Sequence, residues 1–479
     1  MSKKFFNAKT QRRKDAKKKT DKFIFSIFAP LRLCVFALIF FFAANAQAQI
    51  AVKGETVWTM AGENITNGVV LLGADGKIEA VGAANKIKIP SNYKIISAKV
   101  VTPGLIDAHT VIGLNGYLNQ PQEQMALDGS SPMQPELRAI DAYNPEEKLI
   151  EWVRSFGVTT INTGHQPGAL ISGQTMIAKT VGRTADEAAI IPVAMVAVTI
   201  GESALGSGGK SPGTRAKQAA MLRAELIRAT EATRKNDDAA KTQTTVVTSN
   251  GQNNNDNSPT TTNPNSMLEN PPTENNRATQ NGNGQTIVAR QNTGDLRSDI
   301  MQRVVRREIP LLITAQKAQD IITAIRIAKE FNIKIILDGV AEAQMVLKEI
   351  KASGFPVIVH PTMYRAAGET ENLSLEDAAK LKAANIPVAL QSGFESYVPK
   401  TRVVLFEAGV AAANGLSKRD ALAIITIDAA KILGLERRVG SIEKGKDGDI
   451  AMYDGDPFEY STHCTGTIIN GKVVSDIVR

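Results

Sequence analysis

Asp107 and His109 stand two residues apart in an apolar, β-branched run, VVTPGLIDAHTVIGLNG, at residues 100–116. Side chains of an extended segment repeat every two residues, so this carboxylate and this imidazole point the same way and could share a cation. Histidine is scarce, with four in 479 residues, and each position is therefore informative. His165 follows one strand-like segment and His360 closes another, while Asp338 ends a third and Glu202 comes just after a fourth. In barrels of alternating strands and helices the chemistry collects where the strands end. Two or three neutral imidazoles with a carboxylate would form a mononuclear zinc-type centre, and such an ion brings the pKa of bound water close to neutrality. The expected centre thus has His109, His165 and His360 as metal ligands and Asp107 and Asp338 as its catalytic carboxylates. His463, near the C-terminus, is read as structural.

The elements that would position these groups follow from patterning. After the first strand, apolar runs occur at residues 157–164, 173–180, 190–201, 309–315, 333–339, 355–360 and 386–392, which makes eight. They alternate with helix-patterned stretches, among them 215–234, 318–331, 341–353, 404–414 and 418–433. The fold expected is α/β, a parallel (β/α)8 TIM barrel over residues 100–435. Residues 49–99 and 436–479 read instead as short strands and turns, with hairpin chemistry at Gly73 to Lys77 and at Asn470-Gly471. Inside the barrel, residues 236–295 turn rich in Asn, Thr, Gln and Pro, and a disordered insert is expected there.

Charge is unevenly placed. The formal net charge is +8, yet residues 1–48 hold 11 Lys and Arg against 2 acids, which leaves 45 basic and 46 acidic residues in the remainder. No basic surface is left to suggest nucleic acid. Residues 1–48 combine a positive stretch, the apolar core LCVFALIFFFAA and small residues at Ala44, Ala46 and Ala48, the architecture of a secretory signal. The apolar core is too short to span a bilayer, so an exported protein, periplasmic or extracellular and with no stable membrane anchor after cleavage, is expected. Cleavage would leave Cys464 alone, hence no internal disulfide. The Gly-rich stretch at Gly206 to Lys210 lacks the spacing of a phosphate-binding loop.

The PGLIDAH segment resembles the first barrel strand of the amidohydrolase superfamily, the imidazolonepropionase-like metal-dependent hydrolases, with its pattern PG-[FL]-ID-x-H-x-H. Near the other end, VGSIEKGKDGDIAMYDGDP is similar to the family's G-S-[IL]-E-x-G-K-D-A-D, matching at Gly445, Asp447 and Asp449. The resemblance implies a TIM barrel with a small composite β-sandwich domain built from residues 49–99 and 436–479. It also implies a divalent metal, zinc foremost, and hydrolysis of non-peptide carbon–nitrogen bonds in small amides or cyclic amides by metal-activated water. Several positions depart from the pattern. Val111 replaces the second histidine, Thr314 and Gln316 replace the two of the fifth strand, Asp338 replaces that of the sixth, and Gly393 replaces the eighth-strand aspartate. No lysine ends the fourth strand, though Glu202 follows it. The alternative is a catalytically silent barrel that binds a small ligand or serves as a subunit beside an active paralogue. The partners expected are a small amide-type substrate or ligand and a second copy or paralogue, with no nucleic acid.

Overall fold

The computed structural model describes residues 49–118, 120–249, 295–362, 364–394 and 403–479. The leader expected at 1–48 lies outside the described residues.

Strands from both chain ends join in one sheet. β1 (Ile50–Val57), β2 (Ile65–Leu72), β3 (Ile78–Ala83) and β4 (Lys94–Pro103) come from the N-terminal side. β4 pairs in parallel with β1. Its other edge is antiparallel to a strand at Ile450–Tyr453, which continues the sheet through Cys464–Ile469 and Lys472–Ser475. The seven strands form one continuous hydrogen-bonded sheet. Alternation explains its burial: Ile50, Val52, Val70, Leu72, Val101, Ile450, Met452 and Ile468 fill one cluster on one face.

β4 passes through Gly104 directly into β5 (Leu105–Thr110), so the strand that joins the two chain ends also carries Asp107 and His109. The barrel sheet continues with β6 (Val158–Thr163), β7 (Ile171–Lys179), β8 (Ala189–Thr199), β9 (Leu311–Ala315), β10 (Ile335–Gly339), β11 (Val357–Val359) and β12 (Val388–Leu390), neighbours in space in the order of the chain. A bridge between Thr110 and Gly393 brings the two edges together and nearly closes the barrel. One expectation is corrected. β7 runs antiparallel to both β6 and β8, so the sheet is not uniformly parallel. The reason is the connection: only residues 164–170 separate β6 from β7, whereas a parallel return needs a crossover of roughly a dozen residues or more.

Inside the barrel, Ile177, Met195, Leu312, Ile336, Ile358 and Ala389 form one apolar layer, closed below by Ala429, Ala430 and Leu433. Two residues further along β9, β10 and β12 the same faces carry Thr314, Asp338 and Gln391. The core thus gives way to polar side chains at the strand ends.

The insert expected from residue 236 also needs correcting. The helix Arg215–Ser249 runs through that boundary. It is docked there, because Asn236 Nδ2 donates to Gln302 Oε1 (2.8 Å) and Asp237 pairs with Arg306 (3.0 Å) on the helix Leu296–Val305. The rest of the insert, residues 250–294, lies outside the described residues.

Candidate active site

Asp338, at the end of β10, is the hub of the strand-end layer. Its Oδ1 accepts from His109 Nδ1 (3.1 Å) and from Gln391 Nε2 (2.8 Å), and its Oδ2 accepts from the Thr314 hydroxyl (2.6 Å). All four side chains are buried. Burial would lower the His109 pKa, but the Asp338 carboxylate in contact with it, together with Asp107, raises it above the ordinary imidazole value. His109 Nε2 is buried without a hydrogen-bond partner. The ring faces Phe394, with centroids 5.8 Å apart.

Asp107 lies beside this group but is held separately. The Ser392 backbone N–H donates to its Oδ1 (3.0 Å), and the Ser392 hydroxyl donates to Thr110 Oγ1 (3.0 Å). Burial pushes its carboxyl up to about 7, against the lowering effect of Ser392 and His109.

A pocket of about 220 Å³ opens next to the group. Thr314 links the two, since it lines the pocket and donates to Asp338; Phe394 lines it as well and covers His109. Thr199, Ser203 and Gln316 add polar groups to the wall, and the Thr199 hydroxyl is buried without a partner. The segment after β11 covers one side with Tyr364, Glu369 and Thr370. Glu369 pins that segment: it accepts from the backbone N–H of Glu202 (2.5 Å) and pairs with Arg215 (2.9 Å), which also holds Asp320 (3.0 Å).

The structure brings together only some of the residues expected at the centre. His109, Asp338 and Asp107 converge. His360 does not join them: its Nδ1 is 2.9 Å from the Pro361 carbonyl and its Nε2 is 3.3 Å from Asp377 Oδ2. Both ring nitrogens are thus engaged by neighbouring oxygens, away from His109 and Asp338. His165 is buried over Gly173 with neither ring nitrogen hydrogen-bonded, and burial lowers its pKa. Among the described residues, no three His, Cys, Asp or Glu side chains are grouped to hold a metal ion. The expected ligand set of His109, His165 and His360 is corrected accordingly. Glu202 is exposed and contributes only its backbone. His463 pairs with Asp454 at the surface (3.0 Å). Sequence reasoning missed Gln391, Ser392 and Asp377. The polar pair closing the eighth strand was a visible signal for the first two; nothing marked Asp377 at its helix start.

Comparison with known proteins gives the fold its relatives. An amidohydrolase from Thermotoga maritima MSB8 superposes with a TM-score of 0.73 at 26% identity, over 89% of this chain and 100% of that one. The Amidohydrolase family profile matches residues 376–475. The imidazolonepropionase of Thermoplasma volcanium is 26% identical over 136 residues, 27% of this chain and 33% of that protein, so the aligned stretch spans only a third of that relative. The chain belongs to the amidohydrolase superfamily. Molinate hydrolase shares the fold at 14% identity, with a TM-score of 0.51 over 89% of this chain and 94% of that one.

Superfamily members are typically metal-dependent, and the side chains at the corresponding positions here do not fit a metal. Val111 is packed into the main apolar core. Gln316 lies over Gly339, whose φ of 79° and contact with the Gln316 amide exclude a side chain there, and its Oε1 accepts from the Ala341 N–H (3.1 Å). Gly393, at φ 82°, is pressed against Pro361, so an aspartate would collide.

Proposed function

We propose that the protein hydrolyses a carbon–nitrogen bond in a small amide or cyclic amide at the barrel mouth. The observation that supports this most directly is the His109–Asp338 pair under the pocket: a buried imidazole oriented by a carboxylate that two further donors hold in place. In this reading Asp338 fixes the Nδ1–H tautomer of His109. Nε2 then takes a proton from water as the water oxygen attacks the carbonyl carbon, and passes it to the nitrogen as the C–N bond breaks. An amide offers both a donor and an acceptor, matching the unpartnered Thr199 hydroxyl and His109 Nε2. The test is a panel of lactams, hydantoins, dihydropyrimidines and N-acyl amino acids, scored by ring opening or amine release. His109→Ala and Asp338→Asn should each lower turnover by about 100-fold or more; unchanged turnover in His109→Ala would remove the mechanism.

A second reading has its own observation. Phe394 stands across His109, and Nε2 has no exposed surface in this conformation. A barrel that binds such a ligand, alone or beside an active paralogue, without turning it over would show saturable binding by calorimetry and no product. We further propose export, on the leader at residues 1–48, which N-terminal sequencing of secreted material would decide.

A further inference from the structure

The positions at which the superfamily's first, fifth and sixth strands carry metal ligands are filled here by His109, Thr314 and Asp338, and these three have not drifted apart. They touch, with Thr314 2.6 Å and His109 3.1 Å from the two oxygens of one carboxylate. We propose that Asp338 has taken the metal's place as the partner that orients His109, and that the centre is complete without a divalent cation. This concerns the site assigned above to hydrolysis and accepts its location; its test requires no substrate.

Three independent features carry it. First, His109 Nδ1, the Thr314 hydroxyl and both Asp338 oxygens are already engaged with one another, which leaves His109 Nε2 as the bare nitrogen of that set. The imidazole nitrogen nearest Asp338 is spent on that bond, and the carboxylate accepts from three donors through its two oxygens. A cation entering between them would have to break this set, and Gln391 and Thr314, both neutral, would repay little of the loss. Second, the vacated ligand positions have acquired packing or hydrogen-bonding work. Val111 belongs to the apolar core, Gln316 supports the turn after β10, and Gly393 closes the barrel on Thr110. Third, the two other histidines near the mouth do not join the set: His360 is engaged by Asp377 and the Pro361 carbonyl, and His165, packed over Gly173, forms no ligand group with His109 and Asp338 among the described residues. A catalytic zinc generally needs about three protein ligands, and these positions offer only the bare His109 Nε2 and an Asp338 carboxylate already held by three donors.

The arrangement also explains the turn that follows Asp338. Val340 is a buried β-branched residue at φ 50°, a strained conformation, and its N–H reaches back to the carbonyls of Ala315 and Asp338. The strain is held by the same segment that places the carboxylate, as expected if Asp338 must be presented in one position.

The decisive measurement is metal content of the full-length mature protein after dialysis against zinc, manganese or cobalt and desalting, with melting followed in excess zinc and in EDTA. We expect well under 0.1 equivalent of bound metal and the same midpoint in both. Asp338→Asn should lower the midpoint by several degrees equally with and without zinc, because a charge-assisted partner of His109 is lost. The double variant Thr314→His/Asp338→His, which puts three imidazoles on the converging positions, should gain about one equivalent of zinc. Stoichiometric metal on the wild type that disappears in His109→Ala would overturn the proposal. A folded double variant that takes up no zinc would overturn the claim that the ligand positions still converge. Absence of hydrolysis on every substrate, with the metal results as expected, would remove the proposed activity and leave this inference standing.

Discussion

Two buried polar groups lie at opposite ends of the same barrel, and they are built on opposite principles. At the mouth, Asp338 holds one imidazole, Asp107 lies beside it on Ser392, and His109 Nε2 is left without a partner. At the base, Asp447 and Asp449 share Lys179, with Asp447 also bound by Lys77 and by Arg438 (3.0 Å) and Asp449 accepting the Asn470 N–H (3.0 Å). Lys179 reaches the base because β7 runs against its neighbours: it pairs with Thr160, near the start of β6, so its last residue arrives where the other strands begin. The base group ties the barrel to the β sheet. A buried carboxylate saturated with cations holds a fold together, while one that orients a base and leaves it bare has a reaction or a ligand to serve.

Breaking the base should cost more stability than anything done at the mouth. Lys179→Met leaves two buried carboxylates short of their cation, and a loss of about 3–5 kcal/mol in denaturant unfolding is expected. If Lys179→Met costs less than Asp338→Asn, the assignment of the structural role to the base is wrong.

The two ends should also respond to pH in opposite senses. Burial raises Asp447, but Lys179, Lys77 and Arg438 outweigh it and hold its carboxyl below the ordinary range. Its contribution is present above the unfolded value near 4 and is lost as pH falls through the folded value. Asp107 is pushed up to about 7 by burial, so its contribution is complete below pH about 4 and is lost as pH rises through about 7. Asp107→Asn should flatten the fall in stability between those limits by on the order of 2 kcal/mol, less than the full shift because His109 compensates. Stability curves of wild type and variant that stay parallel from pH 4 to 7.5 would show Asp107 to be ionised in the fold.

A smaller effect is expected at the rim. Arg215 is partly exposed, so Arg215→Ala should cost about 1 kcal/mol or less. Its loss frees Glu369 and the segment over the pocket, and ligand affinity should weaken more than stability does; the reverse order would mean that the clamp is structural. The smallest effect concerns Cys464, buried in the β sheet with its thiol pushed up to about 11 by burial. At pH 8 an aromatic disulfide reagent should leave Cys464 untouched in the folded protein and titrate it in denaturant. A fast reaction in the fold would mean that the edge of the sheet opens.

What the sequence by itself determined is the set of elements. The strand-like apolar runs name all eight barrel strands in their spatial order, because adjacent strands in this topology follow the chain and each must bury its faces. The PGLIDAH segment and the Gly445 to Asp449 motif marked the two parts of the chain that meet in the β sheet and the strand that carries Asp107 and His109, since both depend on local spacing. Tertiary structure alone decided which polar groups meet. Nothing local to Lys179 forecasts Asp449, 270 residues away, and nothing local to His360 says that its ring turns to Asp377 rather than to His109. Strand ends bring many polar side chains to one opening, but their partners are settled by strand direction, side-chain reach and the satisfaction of buried hydrogen bonds, which are properties of the closed barrel and not of any one strand.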